Sequence, residues 1–570
     1  MRRQTTGHRA RSRVRPTSRR ILICAIPAIS VTAHADSFYV SPAGSNANIG
    51  SLSLPWKTLQ FAADHLGPGD TVNVLPGNYA GFDIRHGGTP ASPITFLAQS
   101  GATINQTIPG GRKDGINIEN ASYITVAGFT LIGTGATNTS EAGIRVAGDG
   151  FDNPNAFSRG VIVQNNRCDQ WGVWGIFTAF TDDVQILGNE CSRSAQQHGI
   201  YVSNSADRPI IRGNKVWGNA AAGIHMNGDI NTGNTALPGV DGIITGALVE
   251  RNIIFGNGGG SAISPGGGAA INADGIQQSI FRNNLLYDNH ASGVALFRDD
   301  GGGPSSGNVV VNNTIINAAN ARFDLTVSDG SSNNTIFNNI LYNLNTSNTR
   351  GSISLTSDAL AGLKSDYNFL DPRFAIDDVS GKTLAQWRTA TGGDTHSIAL
   401  SPAQMQALFK DYANNDFTLA SNSAARDAGV AALTNGSAVP APSMDLPGNP
   451  RPMGSGFDVG AYEYRVLAAD ANYDGTVDTA DFKILLADYG KPGDFKHGDF
   501  NHDGMVDFAD FQILELNFGQ SLSAGAAASA LSVVPEPGGL TSICGMLSGA
   551  FLLRRRFREP QQADSTSPFP

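Results

Sequence analysis

Charge is scarce in this chain. Asp, Glu, Lys and Arg make up 15% of its 570 residues, aromatics 8%, and there are four cysteines. So little charge beside 68 glycines argues against an α/β enzyme and for a turn-dense β architecture. Cys24 and Cys544 fall in apolar terminal segments, so Cys168 and Cys191 are the only pair inside the body. Long apolar runs are missing as well. Segments 21–31 and 540–553 are both too short for a permanent membrane span. The net charge is −10, and eight arginines crowd the first 20 residues, leaving −18 on the remainder. An acidic body of this kind excludes nucleic acid and anionic membrane surfaces as partners. A polyanionic substrate would need a locally basic or Ca²⁺-bearing groove.

What the chain does contain is a repeat, clearest over 161–342. One half reads apolar–x–x–Asn–x–apolar, at Asn166, Asn189, Asn214, Asn252, Asn284, Asn313 and Asn339. The other half is Gly–apolar–x–apolar, as at Gly175, Gly199, Gly223 and Gly293, with Ala270 in place of Gly once. The Asn marks are 23, 25, 38, 32, 29 and 26 residues apart. Repeats of this length whose segments alternate with period 2 form β solenoids, because no single coil can bury its own apolar face. Stacked turns would lie about 4.8 Å apart, with the Asn amides forming an internal ladder at a corner that tolerates left-handed backbone. The pattern resembles the right-handed parallel β-helix family that includes pectate lyases. The resemblance covers roughly 36–464 and implies an all-β fold, without fixing a reaction.

In chain order, 1–35 has a basic start, an apolar run and Ala33-His34-Ala35, which together read as a secretory signal peptide. Residues 36–100 carry an amphipathic helix pattern at 56–65 and "PGDTV", and resemble the N-terminal cap of secreted β-helix proteins. The solenoid occupies 101–345. Its Gly-rich excursions at 228–246, 256–268 and 299–307 would either wall a groove or merely decorate the surface. Residues 346–464 read as a C-terminal extension and cap, with Asp445, Arg451 and Glu463 as a structural ion-pair set. Cys168 and Cys191 each follow a ladder Asn by two residues. They should stack on successive turns, as a disulfide or as two small core residues.

Residues 465–520 are a separate module with tandem 12-residue loops, 29 residues apart. Side-chain oxygens fall at positions 1, 3, 5, 9 and 12: Asp470, Asn472, Asp474, Asp478 and Asp481, then Asn501 between Asp499 and Asp503, with Asp507 and Asp510. Thr476 and Met505 offer backbone carbonyls at position 7, and Gly475 and Gly504 the sharp turn. One helix follows each loop, at 482–489 and 511–518. The module resembles a type I dockerin, whose loops also end in Asp. The resemblance implies two calcium ions and a cohesin-like partner; its recognition pairs, Thr479/Ala480 against Phe508/Ala509, do not match symmetrically. Residues 521–570 hold a small-residue linker, Val534-Pro535-Glu536-Pro537, an apolar run and a basic cluster from Arg554 to Arg558. They resemble a PEP-CTERM sorting tail, which implies a transient membrane contact and an exosortase-type sorting enzyme.

Aligned on the Gly–apolar step, Phe177, Tyr201, His225 and Asn272 should point outward in one column, with Ser203, Asn227 and Asp274 in the next. Arg145 occupies the equivalent place one turn earlier, and His198, Asp229, Arg298, Asp299 and Asp300 lie close in sequence. Two reactions on a polysaccharide fit this strip. In β-elimination from a uronic acid, His225 or Tyr201 would serve as base and acid, with Arg145 or Arg298 neutralising the carboxylate. Asp229, Asp299 and Asp300 would hold a groove Ca²⁺. In glycoside hydrolysis, Asp274 would pair with Asp229 or Asp299. Many β-helix lyases use a Lys or Arg base, and the only Lys between Cys168 and Asn339 is Lys215, in a ladder turn. The third reading is a surface protein that binds glycan without cleaving it.

Overall fold

The structure, a computed structural model, describes residues 35–522 apart from 137, 154–156 and 263. The expected leader up to residue 34 and the tail from residue 523, with Cys24 and Cys544, lie outside the described residues. The chain divides into two compact units, Met1–Val466 and Leu467–Pro570.

The first unit is a parallel β-helix. Three 12-stranded sheets run its length, and each turn adds one short strand to each. Ile162–Gln164, Arg167–Asp169 and Trp174–Ala179 are one such turn, feeding the first, second and third sheets in order. Alternation sets which side chains go in. Ile200 and Val202 are fully buried in the central core, whereas Tyr201 between them faces out. Neighbouring strands pair in parallel register throughout, except that Val379–Lys382 closes the third sheet antiparallel.

The Asn ladder is present, and it is longer than the repeat suggested. Each amide donates to the next side-chain oxygen at 2.9–3.1 Å, from Asn166 through Asn339 to Asn368. Each Oδ1 also accepts a backbone N–H of the turn before. The ladder residues do not themselves adopt the left-handed backbone expected of them. That conformation belongs to the residue just before each one: Asn165, Gly188, Gly213, Arg251, Asn283, Asn312, Asn338 and Tyr367. The preceding residue turns the corner, and the ladder Asn, already in the next strand's conformation, points its amide inward. A second ladder, Asn219–Asn257–Asn289, lines the corner between the second and third sheets. A third, Ser279–Asn308–Asn334, lines the corner leading back to the first. Cys168 and Cys191 are register partners, buried, and both free thiols.

Both ends of the solenoid are covered. Helix Leu59–His65, capped by the Thr58 hydroxyl, closes the first turn. At the far end Trp387, from helix Leu384–Thr391, stacks on Phe374 at 4.9 Å and is completely buried. Only this early part of the C-terminal extension is a cap. The rest clads the outer face of the second sheet, packing Phe409, Phe417, Leu446 and Val459 on Ile316, Ile340 and Phe369. Arg451 and Glu463 form a buried ion pair at 2.7 Å. Asp445 is not part of that pair: its oxygens accept backbone N–H groups from Gly448, Asn449 and Glu463.

In the second unit, helices Thr479–Asp488 and Phe508–Asn517 each follow a loop. They start three residues earlier than the sequence pattern indicated. Asp478 and Asp507 serve as N-caps, with Asp481 and Asp510 completing a capping box. Among the described residues no helix is long and apolar enough to cross a membrane.

Candidate functional site

The register of the third sheet places the predicted strip. Asn117, Arg145, Phe177, Tyr201, His225, Asn272 and Ala295 are successive partners on adjacent strands, so their side chains rise from one face about 4.8 Å apart. Arg145, Phe177, Tyr201 and His225 make contact. The Arg145 guanidinium lies 4.6 Å from the centroid of Phe177, a cation–π distance. Phe177 and Tyr201 meet edge to face at 5.5 Å, and Trp174 tilts over Phe177 at 4.7 Å. His198, on the approach to its strand, packs 4.5 Å from His225 and 5.1 Å from Tyr201, and Tyr201 lies 5.0 Å from His225.

These groups face outward but are not bare. Phe157, Phe180 and Val240 pack against Phe177 and Tyr201, so surface loops roof the upper part of the strip. Burial holds both imidazoles in their neutral forms. His225 is pushed down to about 4, and His198 falls well below its ordinary value through burial and then through His225. His198 Nδ1 accepts from the Ala222 N–H, which leaves the proton on Nε2. Burial also pushes the Tyr201 phenol up to about 12, so it keeps its proton. Burial lowers Arg145, and Arg112 nearby lowers it further. Four polar atoms of the strip are buried without a hydrogen-bond partner: Oδ1 of Asn117, Nε of Arg145 and both ring nitrogens of His225. Most buried polar groups in folded proteins are paired, so an unpaired set calls for an explanation.

The remaining candidates have other tasks. Asp274 is buried, and its two oxygens accept N–H groups of Asp299, Asp300 and Gly301 at 2.8–3.0 Å. Burial raises its carboxyl despite those bonds, and it staples the loop at 299–301 to the sheet. A hydrolytic acid at this position would have to act while holding these three N–H groups. Arg298 is exposed and donates to the Gly301 carbonyl at 3.2 Å, within the same loop. Asp229 and Asp300 accept from Asn204, Asn227 and Asn231. Among the described residues no three His, Cys, Asp or Glu side chains are gathered to hold a metal ion. That holds for Asp229, Asp299 and Asp300 and equally for the tandem loops at 470–481 and 499–510.

In the tandem loops the carboxylates accept loop amides. Asp470 takes the N–H groups of Asp474 and Gly475, and Asp481 those of Asn472 and Asp478. Asp499 and Asp510 repeat both arrangements. All four are buried, and none of them forms an ion pair with Lys or Arg among the described residues. Burial, then Asp481 and Asp474, pushes Asp470 up to about 6. Paired buried carboxylates with no cation beside them, plus Asn472, Asn501 and the position-7 carbonyls, fit the all-oxygen donor set of Ca²⁺.

One feature of this face escaped the repeat. Below His225 the column continues through Asn272, Ala295, Thr326 and Ser354 along a cleft of about 390 Å³. Arg322 and Arg350 border it, and neither pairs with a carboxylate among the described residues. Both precede the strand step on successive turns, and that shared position was the signal available in the sequence.

The chain is similar to several known proteins. A family model, Periplasmic copper-binding protein (NosD), matches residues 98–285, less than half of the chain. The uncharacterized protein YwoF of Bacillus subtilis (strain 168) is 23% identical over 442 residues, spanning 69% of this chain and 92% of that protein. Among solved structures, pectate lyase Pel9A aligns with a TM-score of 0.48 and 16% identity, over 75% of this chain and 96% of its own. A rhamnogalacturonan lyase aligns at 0.41 and 16%, over 56% and 84%. Likeness at this level carries no argument about reaction or substrate. The fold stands on the three parallel sheets: the chain is a parallel β-helix protein.

Proposed function

We propose that this is an exported, carbohydrate-active β-helix protein, a polysaccharide lyase whose working strip is Arg145, Tyr201, His198 and His225. The observation that carries the reading is the His225 imidazole. It is neutral, packed edge to face on Tyr201 and tilted against His198, and both its nitrogens are buried without a partner. A neutral imidazole can take the proton α to a uronate carboxylate. The electron pair left behind forms the double bond as the glycosidic oxygen departs, and the protonated Tyr201 supplies that oxygen's proton. Arg145, three strands along the strip over Phe177, would offset the charge of a neighbouring uronate unit, not of the one that loses its proton. Burial makes His225 a weak base in the free protein, and an arriving carboxylate strengthens it by favouring the imidazolium. Asp274 takes no part in this step and holds the loop at 299–301 to the sheet. A digest of uronic and neutral polysaccharides, followed by ultraviolet absorbance and by reducing ends, tests this. New absorbance with new ends is expected; ends alone would mean hydrolysis, and silence in both would mean binding without cleavage.

The same proposal gives the second unit two calcium ions in its dockerin-like loops and a cohesin-like partner. It gives the tail beyond residue 522 a PEP-CTERM type sorting role through an exosortase-type enzyme. Chelation with EDTA should remove the far-ultraviolet helical signal of Thr479–Asp488 and Phe508–Asn517 while the β-helix signal stays. Helical signal that survives chelation unchanged would remove calcium from the account.

A further inference from the structure

The outer face of the first sheet, away from the strip, carries a compact cluster of opposite character. Arg212, Glu250 and Arg282 are register partners on three adjacent strands. Their alternate neighbours Ile211, Val249 and Phe281 are buried in the core, so these three side chains face outward. Glu250, almost fully buried, receives Nε of Arg212 and, at 2.6 Å, Nε of Arg282. At the next corner Arg251 donates its Nε to the Leu446 carbonyl at 2.8 Å. A cavity of about 230 Å³ lies among these groups, closed on one side by Pro442, Ser443 and Met444 of the C-terminal cladding.

Charge does not balance there. Three guanidiniums face one carboxylate, and Asp445, the next acid on the cladding strand, spends its oxygens on backbone N–H groups. Two further features point to a ligand. Asn283, 1% exposed, donates to the Met444 carbonyl, yet its Oδ1 is buried without a donor. Arg251 holds left-handed backbone, φ 57°, at a corner that neighbouring turns fill with Gly188, Gly213, Asn283 and Asn312. Arg193, Arg208 and Tyr367 share that conformation, so what sets Arg251 apart is the guanidinium it brings to the cavity.

We propose that this cavity is a binding site for an acidic saccharide unit, an oxyanion carried on a hydroxylated ring. The excess guanidinium groups take the oxyanion, and a ring hydroxyl supplies the proton that Asn283 Oδ1 lacks. The volume falls below the roughly 300 Å³ at the lower end for drug-sized ligands, which suits a single sugar unit. The site shares no residue with the His225 strip and stands whether or not that strip is catalytic.

Titration calorimetry on the full chain with D-glucuronate, glucose and inorganic sulfate tests the site, with His225→Ala as a background that removes the strip. Saturable glucuronate binding is expected in that background. It should weaken with added salt, and by roughly tenfold with Arg251→Gln. Glucose and sulfate should each bind more weakly than glucuronate, since each lacks one of the two recognised groups. Ser443→Asp places a carboxylate at the exposed mouth without touching the internal bonds, and should weaken glucuronate similarly if Arg251→Gln fails to fold. Glucuronate that does not bind, or binds both variants as tightly as the parent, would overturn the proposal. Sulfate binding as tight as glucuronate would reduce the site to a bare anion pocket and overturn the saccharide assignment.

Discussion

Two sets of buried polar side chains run along this solenoid, and they are built on opposite terms. At the first corner, each Asn from Asn166 to Asn368 has donors and acceptors matched within the stack. On the third sheet, Arg145 and His225 are nearly as enclosed, but three of their nitrogens have no partner. A satisfied ladder rigidifies and closes a surface to other molecules. An unsatisfied strip costs stability and leaves hydrogen-bonding capacity that only another molecule can meet. The contrast separates scaffold from site within one fold, where both consist of polar residues recurring every turn.

The largest effect should come from breaking the ladder. Asn252→Ala removes the partner of Asn214 and Asn284 and exposes the Ile211 carbonyl to an empty space. Several buried groups lose their bonds together, so a loss of about 3–5 kcal/mol in denaturant unfolding is expected. A cost near zero would mean that water fills the gap and that the ladder is not the scaffold. His225→Ala sharpens the other side. It should reduce elimination on the order of 10²-fold or more, while the melting temperature holds or rises because no hydrogen bond is lost. A large melting loss with activity retained would place His225 on the scaffold side.

The smallest effect concerns Asp324, a buried acid that belongs to neither set. Asn317 donates to its Oδ1 at 3.0 Å, its Oδ2 has no partner, and burial raises its carboxyl well above the ordinary range. The folded protein therefore holds this proton where the unfolded chain, titrating near about 4, has released it. Its contribution is full below that pH and is lost as pH rises towards the folded value. Asp324→Asn should remove this loss and raise the melting temperature at pH 7 relative to pH 4. An unchanged pH profile in the variant would show that the carboxyl titrates normally.

The regular parts of the molecule were legible because they repeat. Asn166 through Asn339 marked the turns, and alternation around Tyr201 and His225 fixed which side chains face out. The corner backbone was misassigned by one residue because Asn is common at both positions, as in Asn165-Asn166 and Asn283-Asn284. The fate of Asp274 was not legible. Sequence places it on the outward face, but the loop whose N–H groups consume it folds back from 25–27 residues further on. The cleft beside Arg322 and Arg350 was missed for a related reason, since those residues precede the strand step rather than sit in it. Cladding by 400–461 likewise depends on apolar residues facing outward from the second sheet, a pattern that resembles a buried strand in sequence.

The most direct test of the account is the rate at which unsaturated ends appear when His225→Ala and the parent protein are given the same acidic polysaccharide. The account expects product from the parent and a loss on the order of 10²-fold or more in the variant, at an undiminished melting temperature. Equal rates from the two proteins would contradict it, because the unpartnered nitrogens of His225 would then mark no working site.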